Sequence, residues 1–162
     1  MKQTSFLTIL FILLSSFYSS AQEGKNGFGN LSENSKQPIE AISDEMVVDN
    51  DKSEAEMTGN VEITQGEIYL YADLVRVIYD EYQSNIKKLF AQHNVVLVSG
   101  NDKASADEAD YDIDRGTIIM TGNASIKQAG NTALAERAEI DINNGATTLS
   151  GRVRTILQPA ED

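Results

Sequence analysis

A short turn sequence recurs along the chain at a nearly fixed period, and this repetition constrains the fold more than any other feature. The four copies are Thr58-Gly59-Asn60-Val61, Gln92-His93-Asn94-Val95, Thr121-Gly122-Asn123-Ala124 and Ser150-Gly151-Arg152-Val153. Positions 93, 122 and 151 are 29 residues apart, and positions 59 and 93 are 34 apart. A period of this size is typical of repeat architectures, in which each unit is one supersecondary structure that stacks on its neighbours.

A second marker, a small residue followed by an acidic one, precedes each turn. Its copies are Ala41 with Asp44, Ala72-Asp73, Ala106-Asp107 and Ala135-Glu136. The small residue indicates a corner where the backbone bends sharply from one sheet into another. The acids recur once per unit, so corner hydrogen bonds or a solvated outer face explain them better than a metal site or a glycosidase pair, both of which need the carboxylates to converge.

Between the turns, apolar and polar residues alternate as they do in strands with one buried face. Segments 104–109 and 133–140 are rich in Ala and Glu and could form short helices on propensity alone. A unit of 29 residues, however, has no room for a helix and its crossover besides two or three strands. We therefore predict an all-β chain built from four repeats, arranged as a sandwich, a closed barrel or two facing sheets.

The amino-terminal 21 residues are predicted to be a cleavable signal peptide. Lys2 provides the positive end, Phe6–Phe17 is apolar but much shorter than the roughly 20 residues that span a bilayer, and cleavage is expected after Ala21. Residues 22–37 are polar and aperiodic and are predicted to be a flexible arm. The folded domain is expected over 38–158, followed by an acidic tail at 159–162.

Composition excludes several classes of function. The formal net charge of −12 argues against nucleic-acid binding, and the absence of cysteine excludes both disulfides and a lipidated anchor. Nucleophile–histidine catalysis would depend on His93 alone, which replaces a turn glycine. Residues 110–116 superficially resemble a calcium loop, but Gly122 stands where the bidentate glutamate is required. We therefore predict no enzymatic activity, no catalytic residue, no metal and no cofactor.

Several of these motifs together resemble the OstA-like domain family, over roughly residues 38–158. The residues that carry the resemblance are Pro38-Ile39-Glu40, Asp44, Met57-Thr58-Gly59-Asn60-Val61, Thr64-Gln65-Gly66, Leu70, Ala72-Asp73, Ala106, Tyr111 and Thr121-Gly122-Asn123-Ala124. The second unit departs from the pattern, with Gln92-His93-Asn94 in place of the glycine turn. The insert Glu81–Lys88 is compatible with a long hairpin or a loop.

The resemblance implies an antiparallel β-jellyroll whose two sheets form a V, with lipid acyl chains held between them. It implies a periplasmic protein that binds lipopolysaccharide and bridges the two membranes for outer-membrane assembly. The implied partners are an anchored OstA-like component of the inner membrane, a lipopolysaccharide assembly protein of the outer membrane, and further copies of the same chain joined end to end.

Under this reading the inward set of alternating residues lines a lipid-binding groove. Its predicted members are Ile39, Met46, Val48, Met57, Val61, Ile63, Ile68, Leu70, Val95, Leu97, Tyr111, Ile113, Ile118, Met120, Ile126, Ile140 and Leu149. The candidates for contacts with lipid phosphates are Arg76, Lys87, Lys88 and Lys103. The alternative is that the same stripe packs on itself as a dry core, in which case the protein is a ligand-free periplasmic scaffold or interaction module.

The predicted edge strands, Ile39–Val48 and Leu149–Leu157, would leave unpaired backbone groups at both ends of an open jellyroll. Such edges can add a strand from a neighbour. Pro38 and Pro159 bracket this surface, and they either limit the length of the pairing or blunt the edges and keep the protein monomeric.

Overall fold

The computed structural model describes residues 28, 31–34, 37–82 and 85–158. The predicted signal peptide, most of the predicted arm, Pro159 and the acidic tail lie outside these residues. The described part is almost entirely antiparallel β-structure, which confirms the predicted fold class. Its elements are α1 (Leu31–Asn34), β1 (Ile39–Ile42), β2 (Glu45–Asp49), β3 (Glu54–Gln65), β4 (Ile68–Tyr79), β5 (Ile86–Ser99), β6 (Asp102–Asp112), β7 (Thr117–Gln128), β8 (Asn131–Asp141), β9 (Thr147–Ser150) and β10 (Arg154–Ile156).

The strands follow one another as a meander that does not close on itself. The order is β1-β3-β4-β5-β6-β7-β8-β10, with β2 also paired to β3 and β9 also paired to β8. Each outermost long strand therefore carries two short edge strands. Among the predicted solutions this is an open pair of facing sheets rather than a closed barrel.

Each long strand bends near its middle, and the bends align across the sheet. The ladder registers shift between Thr58 and Val61, Tyr71 and Leu74, Gln92 and Val95, Ser105 and Glu108, and Thr121 and Ala124. Irregularities of this kind bend a strand and increase its twist. The sheet is therefore folded into two halves. The first half contains the β3–β4, β5–β6 and β7–β8 turns, and the second half contains the β4–β5, β6–β7 and β8–β9 turns.

The recurrent turn sequence forms these bends. Gly59 and Gly122 both have φ of +77°, and His93 takes their place with φ of +62°. His93 is thus a turn residue in a degenerate repeat, as expected. In three of the four copies the alanine that precedes the corner acid is buried where the two halves converge, and a small side chain lets the backbones approach there: Ala72, Ala106 and Ala135 are 5%, 7% and 8% exposed. Ala41, on the edge strand β1, is exposed.

The alternation of side chains follows the predicted register. On β4, Ile68, Leu70 and Ala72 face the interior, whereas Tyr69 and Tyr71 stack on the outer face with ring centroids 6.5 Å apart. The segments that could have been helices on propensity lie in β6 and β8. Of the insert 81–88, residues 86–88 form the start of β5, which pairs with β4 as an antiparallel hairpin.

The amino-terminal segment that sequence places in a flexible arm is packed where the structure describes it. Phe28 is fully buried and Leu31 is 3% exposed, in the same cluster of buried side chains as the sheet. Both side chains are buried although this part of the chain shows no hydrophobic period of its own. No helix within the described ranges is long and apolar enough to cross a membrane.

Candidate functional site

An apolar cavity of about 700 Å³ lies between the two halves of the folded sheet. Its lining combines side chains from both sides of the bend, which places the halves face to face. The lining residues are Leu31, Ile39, Ile63, Gln65, Ile68, Leu70, Asn85, Ile86, Leu89, Ala91, Leu97, Ala109, Tyr111, Ile113, Asp114, Gly116, Ile118, Met120, Ile142 and Asn143. A cavity of this size is within the range of small-molecule and cofactor sites.

Strand pairing arranges the lining of the first half in a row. Leu70 on β4 is opposite Ile63 on β3 and Leu97 on β5. Residues directly opposite in an antiparallel ladder point to the same face. These three side chains therefore form a continuous apolar strip across the inner surface.

A second row faces it from the other half. Tyr111 on β6 is opposite Leu89 on β5 and Ile118 on β7. Burial raises the pKa of the Tyr111 phenol above its usual value. The phenol O–H is a potential hydrogen-bond donor in the lining of the cavity.

The structure places the predicted groove residues in three settings. Those that line the cavity are Ile39, Ile63, Ile68, Leu70, Leu97, Tyr111, Ile113, Ile118 and Met120. Those buried in the core outside the cavity lining are Met57, Val61, Val95, Ile126 and Ile140, with Leu149 half-buried against them. Met46 and Val48 lie opposite Met57 and Ala55, hence on the inner face, but they are 54% and 56% exposed because β2 is an edge strand.

Some lining residues are missing from the sequence prediction. In the β4–β5 hairpin Ala91 is directly opposite Val75, and Leu89 is directly opposite Val77. All four side chains therefore point to the same inner face, and the period-two alternation of β4 continues in β5. That alternation was available in the sequence, although the irregular second unit obscured it. Leu31 had no such signal, because its place depends on tertiary packing.

The four predicted phosphate contacts are dispersed, and none of them is among the described residues that line the cavity. Arg76 pairs with Glu56 at 3.4 Å and Lys88 with Asp112 at 3.5 Å. Lys103 is exposed on the opposite half of the sheet.

Polar groups occur at the turns that border the cavity. Asn85, Asp114 and Asn143 line it from the β4–β5, β6–β7 and β8–β9 connections. Asn143 is held by a hydrogen bond from its Nδ2 to the carbonyl oxygen of Arg115, at 3.2 Å. An apolar interior with a polar border suits a ligand with apolar tails and a polar head.

The arrangement can bind a ligand, but it offers little for catalysis. The residues the structure describes contain no group of three His, Asp or Glu side chains able to hold a metal ion. The corner acids form corner hydrogen bonds, as predicted. Asp44, Asp73 and Asp107 each accept one from an asparagine of the turn sequence.

Comparison with known proteins gives two similar sequences of comparable length. An uncharacterized protein of Rhizobium meliloti is 25% identical over 150 residues, covering 86% of this chain and 81% of that protein. The lipopolysaccharide export system protein LptA of Haemophilus influenzae is 27% identical over 142 residues, covering 81% of this chain and 83% of LptA.

A solved structure has the same fold. It is LptH of Pseudomonas aeruginosa, described as the LptA homologous periplasmic component of the conserved lipopolysaccharide transport device. The TM-score is 0.72 at 19% identity, over 78% of this chain and 99% of LptH. The likeness confirms the jellyroll-like architecture.

The sequence model of the LptA/(LptD N-terminal domain) LPS transport protein family matches residues 40–146, which is most of the folded region. This match confirms the resemblance to the OstA-like family. The relatives are named for transport rather than for a reaction, in agreement with the prediction that the protein is not an enzyme. The chain belongs to the LptA/(LptD N-terminal domain) family of LPS transport proteins.

Proposed function

We propose that the protein is a periplasmic carrier that holds the acyl chains of lipopolysaccharide in its apolar cavity and bridges inner- and outer-membrane components. The observation that carries the proposal is the cavity of about 700 Å³, lined from both halves of the sheet. The names of the family and of the relatives support lipopolysaccharide as the ligand class. Export by the predicted signal peptide would place the protein in the periplasm.

The physical need for such a carrier is large. Each methylene of an acyl chain that is moved from water to an apolar surface gains about 0.8 kcal/mol, so a lipid with several chains does not cross an aqueous compartment unaided. The facing strips around Leu70 and Tyr111 offer that surface. Met120 adds an unbranched, polarizable side chain that adapts to chains of different length.

Bridging is supported by the two ends of the sheet. β1, β2 and β10 are exposed along their lengths. Exposed apolar side chains are concentrated there: Ile39, Ile42, Met46, Val47 and Val48 at one end, and Val153, Ile156 and Leu157 at the other. Edge strands with apolar side chains and free backbone groups are suited to strand addition. Copies of the chain, and the OstA-like partners in each membrane, would join at these ends.

Photo-crosslinking tests the lipid-binding part. A photoreactive residue is placed at Leu70 or, as the matched control, at Tyr69 on the outer face of the same strand. A second pair, Tyr111 and Asp110, tests the other half. Lipopolysaccharide adducts are expected at Leu70 and Tyr111 but not at their neighbours. A folded protein with no adduct at any of the four positions would instead be the ligand-free scaffold.

Two edge variants test the bridge. Ile42→Lys charges the amino-terminal edge and Ile156→Lys the carboxyl-terminal edge, and a charge on an edge strand opposes pairing. Light scattering should find each variant monomeric alone, whereas a mixture of the two should form heterodimers, because each retains one intact end. A variant that still dimerises alone would contradict head-to-tail joining.

A further inference from the structure

A short amino-terminal segment occupies part of the apolar surface assigned to the lipid. Leu31, at the start of α1, is 3% exposed and lines the cavity together with Ile39 and Leu70. Phe28 is fully buried in the same cluster of side chains. We refer to Phe28 and Leu31–Asn34 as the N-terminal plug.

The plug is attached to the turn between β3 and β4. The side-chain oxygen Oδ1 of Asn34 accepts a hydrogen bond from the backbone N–H of Glu67, at 3.1 Å. The Gln37 carbonyl accepts another from Nε2 of Gln65, at 3.0 Å. Gly66 is required for this contact, because a Cβ at that position would collide with the Asn34 carboxamide.

Among the described residues, the docking includes these hydrogen bonds and the burial of Phe28 and Leu31. A helix of four residues has no stability of its own, since helix nucleation is unfavourable. The hydrogen bonds from Glu67 and Gln65 are exposed to solvent, so losing either one shifts the docking equilibrium only several-fold. The burial of the two apolar side chains is the part of the docking that an acyl chain can replace, because it offers the same surface the same kind of contact.

We propose that the N-terminal plug is a displaceable, autoinhibitory element that covers one end of the lipid site and leaves it when acyl chains bind. The inference rests on the proposed function, because it takes a lipid as the competing ligand. Because the plug competes with the lipid for one surface, the apparent affinity for lipid equals the intrinsic affinity multiplied by the fraction of molecules whose site is open. The site would then accept lipid readily only where a delivering partner, or the lipid itself, removes the plug.

A reversible crosslink tests the proposal. The chain contains no cysteine, so the double variant Asn34→Cys/Glu67→Cys has one possible disulfide, which would lock the plug on its turn. Neither residue lines the cavity, so any effect on binding must act through the plug. The probe is the fluorescent fatty acid cis-parinaric acid, titrated into the oxidised and the reduced forms of the same protein.

The oxidised form is expected to bind the probe on the order of tenfold more weakly than the reduced form. Asn34→Ala, which removes the accepting oxygen, should bind it several-fold more tightly than the wild type. Equal affinities of the oxidised and reduced forms, or an Asn34→Ala protein no tighter than wild type, would overturn the plug while leaving the proposed function in place. Failure of every form to bind the probe would overturn both.

Discussion

Nδ2 of Asn123 donates a hydrogen bond to Oδ2 of Asp107, at 2.9 Å, at the bend of the folded sheet. Two other repeats contain the same contact at 2.8 Å, between Asn60 and Asp44 and between Asn94 and Asp73. In the last repeat the pair becomes ionic, with Nε of Arg152 3.9 Å from Oε1 of Glu136. The two sequence markers thus meet in space, and each closes one corner of the jellyroll.

The first prediction separates the hydrogen bond from the backbone conformation at this corner. Asn123 has φ of +51°, which asparagine and glycine tolerate better than other residues. Asn123→Gly loses only the hydrogen bond and should lower the free energy of unfolding by about 1 kcal/mol. Asn123→Ala also adds backbone strain and should lose about 2 kcal/mol, as measured by urea unfolding. Equal losses would exclude a backbone contribution.

The second prediction concerns close packing behind the corner. Gly122 and Gly130 both have positive φ, +77° and +79°, so alanine strains either one. At Gly122, however, a Cβ would also collide with the Asp107 carboxylate, whereas at Gly130 the nearest atom is 3.9 Å away. Gly122→Ala should therefore be less stable than Gly130→Ala by about 1 kcal/mol or more in the same unfolding assay. Indistinguishable stabilities would mean that the Asp107 side chain moves aside at no cost.

The third prediction is a stabilising substitution in the β7–β8 turn. Ala129 and Gly130 form a two-residue connection with φ of +48° and +79°. In this geometry Asn-Gly is strongly preferred, because the left-handed conformation is higher in free energy for alanine than for asparagine. Ala129→Asn is expected to raise the free energy of unfolding by about 0.5–1 kcal/mol. An unchanged urea midpoint would argue against strain at this turn.

The fourth prediction is a loss of stability at alkaline pH that originates in the cavity. Burial raises the pKa of Tyr111 above its ordinary value of 10.0. As the pH rises past about 10, the unfolded chain releases this proton before the folded protein does, so the native state binds more protons and its stability falls. Urea midpoints at pH 8 and pH 10.5 should differ less for Tyr111→Phe than for the wild type.

Tyr71→Phe is the matched control for this measurement, since Tyr71 stands on the outer face of the sheet. It should show the same alkaline loss as the wild type. A Tyr111→Phe protein that loses as much stability as the wild type would contradict the assignment to Tyr111.

Local chemistry explains why much of the fold could be predicted from the sequence. A bend that needs positive φ selects Gly or Asn, so the corners are visible as a repeated Gly-Asn pair. A strand with one buried face alternates with period two, so the inward position of Leu70 and the outward position of Tyr69 are visible as well. Propensity alone was misleading only at segments such as 104–109, where neighbouring strands impose the β6 conformation.

Tertiary structure decided what no local pattern contains. That the meander stays open, with β1 and β2 sharing β3 as their partner, depends on pairing between distant segments. The same inward-facing apolar residues form a packed core around Ile140 and line a cavity at Leu70. Which of the two they do depends on how far apart the two halves of the sheet lie at that position. The burial of Leu31 depends on a surface made by strands that follow it in the chain, which is why an aperiodic arm became part of the site.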